Sequence, residues 1–106
     1  MKKTQTKPTK NQEELIFVTE EFGEIVVKLN KPTWEISVEA FKYLTDENEK
    51  IDLMTPGKLV FDFCATEYSP IIDDNVQLMM SICSSISSRY ILPIQASIKE
   101  EKKSGN

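Results

Sequence analysis

Histidine is absent from all 106 residues of the chain. Its absence removes the commonest general base, the commonest metal ligand and the side chain that titrates near neutral pH. Catalysis by a Ser-His or Cys-His pair is excluded with it. Glycine is scarce as well: Gly23, Gly57 and Gly105 stand far apart, so there is neither a phosphate-cradling loop nor a dinucleotide fingerprint. Only Cys64 and Cys83 carry thiols, each inside an apolar run. They read as reduced, buried small hydrophobes, with a disulfide between them the less favoured alternative, and two isolated thiols do not make a zinc site. No apolar run approaches the length of a membrane span, and none follows the basic N-terminus as it would in a secretion signal. These absences point to a soluble, cytoplasmic protein that needs no metal or cofactor and is not an enzyme.

What the chain does have is a core's worth of apolar residues, 40% of the whole, in a length that suits one domain. Charge is unevenly spread. Lys2, Lys3, Lys7 and Lys10 precede the first acid, whereas Glu13 to Ile98 holds fifteen acids against six bases, a net of −9. A body this acidic repels phosphate, so nucleic-acid binding through the globular surface is disfavoured. Residues 1–12 are polar after Met1 and read as a flexible basic arm, 13–98 as a single α+β domain, and 99–106 as a flexible tail.

The domain begins with a β-hairpin. Leu15–Thr19 and Ile25–Leu29 are rich in β-branched and aromatic residues, and Glu21-Phe22-Gly23 fits a three-residue loop with Gly23 left-handed. Pairing Glu20 with Glu24 puts Leu15, Phe17, Thr19, Ile25, Val27 and Leu29 on one face, the natural core side. Ile16, Val18, Val26 and Lys28 fill the other face, which is too apolar to be left to solvent. A helix or another subunit is expected to cover it.

About three helices follow. Pro32-Thr33 marks the first start, and Trp34, Val38, Phe41 and Leu44 keep the helical period, with Trp34 read as a core anchor. Leu53–Thr66 fits a helix or a strand; Thr55-Pro56, as N-cap and first-turn proline, favours the helix. Asp73 or Asp74 is expected to cap the last helix, which runs to about Tyr90 on a stripe of Val76, Met79, Met80, Ile82, Cys83, Ile86 and Tyr90. Ser81, Ser84 and Ser88 are small enough to admit a close helix neighbour. The acidic groups Asp46-Glu47-Glu49-Asp52 and Asp73-Asp74 read as a solvated connector and a helix start, because the first lacks the glycine and terminal glutamate of a calcium loop.

The order of parts resembles a known group. A basic arm, a hairpin ending in Val26-Val27-Lys28-Leu29-Asn30-Lys31-Pro32-Thr33, and a helix come first. Then follow Asp52-Leu53-Met54-Thr55-Pro56-Gly57-Lys58-Leu59, Leu59–Cys64, an Ile71-Ile72-Asp73-Asp74-Asn75 turn and a terminal helix. From Phe17 to Tyr90 this layout is similar to small proteins of tailed phages and prophages, particularly the tail-assembly-chaperone-like group. The resemblance implies a non-enzymatic binding factor that keeps an aggregation-prone partner soluble, such as the tape-measure protein or the tail-tube protein, while the tail tube assembles in the host cytoplasm. A self-assembling structural subunit, of a virion or another homo-oligomer, is the alternative; an adaptor or small regulator of unrelated type is the third reading. Phe22 at the hairpin tip and Tyr68 beside Pro70 are the expected exposed anchors for a protein partner, with Ile16, Val18 and Val26 as the second contact face.

Overall fold

A computed structural model describes residues 11–99. The expected arm and tail fall almost wholly on residues 1–10 and 100–106, outside that range. Two long strands, β1 (Gln12–Thr19) and β2 (Gly23–Asn30), form the antiparallel hairpin, and a short third strand, β3 (Ala65–Tyr68), joins the free side of β2 in the order β1-β2-β3. Three helices, α1 (Trp34–Phe41), α2 (Met54–Cys64) and α3 (Val76–Ile86), complete an α+β fold. A 3₁₀ turn (Pro70–Ile72) precedes α3, and a π turn (Ser87–Ile91) follows it.

The hairpin keeps its expected faces in a different register. Leu15 pairs with Val27, Phe17 with Ile25 and Thr19 with Gly23, two residues from the alignment anticipated from sequence. A two-residue slip preserves the parity of side chains, so Ile25, Val27 and Leu29 are buried as the pattern requires. Thr19 explains the slip. Its hydroxyl accepts from the Phe22 amide at 2.8 Å and donates to the Gly23 carbonyl at 2.9 Å, closing the turn over Glu20-Glu21-Phe22. Gly23 takes the left-handed conformation, at φ 72°.

Helix starts follow side-chain acceptors, and two differ from the sequence reading. Thr33 caps α1 by accepting from the Ile36 amide, as expected. For α2 the cap comes from Asp52, not Thr55: its carboxylate accepts from the Met54 and Thr55 amides and the Thr55 hydroxyl. These bonds, the Thr55 hydroxyl first, hold the Asp52 pKa below the usual carboxylate range. Asn75, not Asp73 or Asp74, caps α3 by accepting from the Leu78 amide, because the preceding aspartates lie in the turn after Pro70–Ile72.

The core lies between the inner sheet face and α2, α3 and the π turn, around Val27, Leu29, Val60, Ile72, Ile82 and Ile86. Gly57 of α2 packs on the backbone of Cys83 in α3, and this contact sets the helix crossing. Ser87 is fully buried and donates its hydroxyl to the Leu53 carbonyl at the start of α2. The close approach thus uses Gly57 and Ser87. Cys64 and Cys83 are buried free thiols with no disulfide between them. Burial raises both pKa values, that of Cys83 to about 11. No helix among the described residues is long and apolar enough to cross a membrane.

Candidate protein-interaction surfaces

Helix α1 is apolar on more than one side. Ala40 is buried and Ile36 packs against the core, which leaves Trp34, Val38 and Phe41 on the opposite stripe. Those positions are i, i+4 and i+7, so they form one continuous row along the helix. Trp34 is 80% exposed, which corrects its reading as a core anchor. The sequence pattern permitted either stripe to face inward. In the structure the Ile36–Ala40 side is the one turned to the core, with Ala40 the buried residue of the helix.

Across from that row runs the segment after the π turn. Leu92, Pro93 and Ile94 face it, and Ile94 is 92% exposed. Together the two walls enclose a groove of about 500 Å³, with Tyr90 and Ile91 toward its base. One end is held electrostatically. Glu13, at the start of β1, accepts from the Tyr90 hydroxyl and takes a two-pronged contact from Arg89 at 3.2 and 3.3 Å, with Lys31 3.7 Å away. The Tyr90 bond, then the Arg89 bonds, lowers the Glu13 pKa below the usual carboxylate range. Burial, reinforced by the bond to Glu13, pushes the Tyr90 phenol up to about 12. Arg89 also lies over the Tyr90 ring, 5.6 Å from its centroid. This cluster ties the hairpin to the π turn and fixes the wall from which Leu92–Ile94 departs.

The residues singled out from sequence separate into three places. Ile16 and Val18, 57% and 80% exposed, lie on the outer sheet face with half-buried Val26, and no helix among the described residues covers them. Phe22 is half-buried and packs against the core beside α3, so the turn does not present it as a free anchor; the Thr19 hydroxyl bonds fold the tip inward. Tyr68 belongs to β3 rather than to a connector. It packs on Phe61 with ring centroids 4.8 Å apart, and its hydroxyl reaches the Asp73 carboxylate. Sequence reasoning missed the groove on α1, although the excess of apolar residues in Trp34–Phe41 was the available signal.

A second apolar concavity lies between α2 and α3, where Met54, Met80 and Phe63 are exposed around Leu59 and Met79. Lys58 and Asp62 close part of its rim as an i,i+4 ion pair at 2.7 Å. Among the described residues no group of three or more Cys, Asp or Glu side chains is placed to hold a metal ion. Comparison with protein-family models, with curated proteins and with solved structures finds no match for this chain.

Proposed function

We propose that this chain is a non-enzymatic protein-binding factor whose contact is the α1 groove. The observation that carries the reading is the exposed row Trp34–Val38–Phe41 facing Leu92 and Ile94. A tryptophan left in water on the wall of an apolar groove is the residue type most enriched where binding energy concentrates. The spacing suits a partner helix that lays its own apolar side chains between the two walls. Charge selects among such helices. With a net of −9 from Glu13 to Ile98, the body attracts a segment with basic flanks and repels an acidic one.

The resemblance to tail-assembly chaperones supplies the partner class: a long, aggregation-prone helical protein of the tape-measure type, bound in the cytoplasm before assembly. The contact would shield apolar surface of the partner, and the acidic body would keep the complex dissolved. The test is co-expression of the chain with a tape-measure-type protein, followed by pull-down from the soluble fraction. Wild type should hold the partner in solution and Trp34→Ala should lose it, with unchanged melting, because an exposed side chain contributes little packing. Equal recovery by both proteins would overturn the reading.

A further inference from the structure

The two edges of the sheet are built differently. Strand β3 is four residues long, its ladder with β2 shifts register between Lys28 and Leu29, and its Glu67 is ion-paired with Lys28 at 3.5 Å. Shortness, a bulge and charge are devices that blunt a sheet edge against further pairing. Strand β1 lacks shortness and a bulge. It runs eight residues in unbroken register with β2, holds no proline, glycine or lysine, and carries its charges only at Glu13 and Glu14. Among the described residues no strand lies along its other side. Its outward N–H and C=O groups therefore form a row suited to a further ladder.

We infer that β1 pairs antiparallel with β1 of a second copy, joining two three-stranded sheets into one six-stranded sheet. Charge decides the direction. Parallel, in-register pairing would set Glu13 against Glu13 and Glu14 against Glu14, which is destabilising. A two-fold axis perpendicular to the sheet, near Leu15 and Ile16, sets these acids opposite the uncharged Ile16–Thr19 end of the other strand. The axis also keeps the faces in phase. Ile16 and Val18 of both copies become one apolar band with Val26, and Leu15 and Phe17 gain neighbours on the helix side.

Charge also favours a second copy over an unrelated strand. The sequence before β1 holds Lys7 and Lys10 and no acid, opposite in charge to Glu20, Glu21 and Glu24 of the hairpin tip. Those three acids form no ion pair among the described residues. The chain thus carries its own cations for the acids of its hairpin tip.

The test weighs the full chain over a concentration series and follows β1 amide exchange by NMR in the same samples. Pairing through β1 requires a species of twice the 12.2 kDa chain mass. It also requires slow exchange at the β1 amides that point away from β2, accelerating when dilution returns the monomer. A chain that stays monomeric at every concentration overturns the inference. So does a dimer whose outward β1 amides exchange as fast as in the monomer. Replacing Lys7 and Lys10 together by Glu should move dissociation to higher protein concentration while melting of the monomer is unchanged; an unmoved midpoint overturns the part given to these cations in the pairing.

Discussion

A Cβ added at Gly57 would lie 1.9 Å from the carbonyl oxygen of Cys83, and 2.9 Å from its Cα. These are backbone atoms of α3, so no side chain can swing aside to make room. Gly57→Ala should therefore push α2 from α3 and cost about 3 kcal/mol, the upper end of ordinary overpacking, despite a gain of about 1 kcal/mol in helix propensity. Urea unfolding measures it as a fall in midpoint at constant slope.

Ser87 makes a second link between the same elements. Replacing it by Ala leaves the Leu53 carbonyl without that donor, and an unsatisfied buried group costs about 1–3 kcal/mol. Ser87→Ala should lower the midpoint accordingly, while Ser85→Ala, at an exposed position, should not. Gly57 and Ser87 are also the positions that sequence reasoning passed over. A glycine inside a helix and one serine among five carry no periodic signal, so their role emerges only once the two helices are in contact.

Phe22 illustrates the converse. A turn position normally leaves an aromatic exposed, but the Thr19 hydroxyl folds this one against the core. Phe22→Ala is expected to lower stability by about 2 kcal/mol, less than a fully buried phenylalanine loses, and to leave partner binding per folded molecule unchanged. Thermal melting alongside pull-down separates the two effects.

The α+β class, the hairpin with its inner face, and all three helices were legible because period-2 and period-3.6 patterns survive errors of register and capping. Strand β3 was not. Ala65-Thr66-Glu67-Tyr68 is four residues, follows α2 without a break, and owes its pairing to the neighbouring β2 edge. The groove was hidden for another reason: Trp34, Val38 and Phe41 on one stripe and Ile36 and Ala40 on another give α1 two apolar sides, and periodicity alone does not choose the buried one.

Glu13, through its bonds from Tyr90 and Arg89, and Tyr90, chiefly through its burial, give stability a pH signature at both ends. Glu13 has a folded pKa below its ordinary 4.5, so its contribution is complete above that value and is lost as pH falls through the lower folded value. Tyr90 has a folded pKa near 12 against an ordinary 10, so its contribution is complete below 10 and is lost as pH rises from 10 through 12. Glu13→Gln should flatten the acid limb, and Tyr90→Phe the alkaline limb, of melting temperature against pH.

Burial makes the thiols slow reporters of the same fold. Cys64 and Cys83 should react with a thiol reagent only as the protein unfolds, since burial raises both pKa values and leaves little thiolate at neutral pH. Reagent consumption by the native protein at the rate of a free cysteine would contradict the α2–α3 packing.

Trp34 is the only tryptophan in the chain, and its exposure makes it a built-in reporter of the proposed contact. Its fluorescence, recorded while a tape-measure-type partner is titrated onto the chain, tests the central claim most directly. The account predicts a water-exposed emission in the free protein that shifts to shorter wavelength and saturates with binding. Added salt should weaken binding only modestly, because the contact is centred on apolar side chains. A partner that binds while the Trp34 emission stays that of an indole in water would contradict the assignment of the α1 groove.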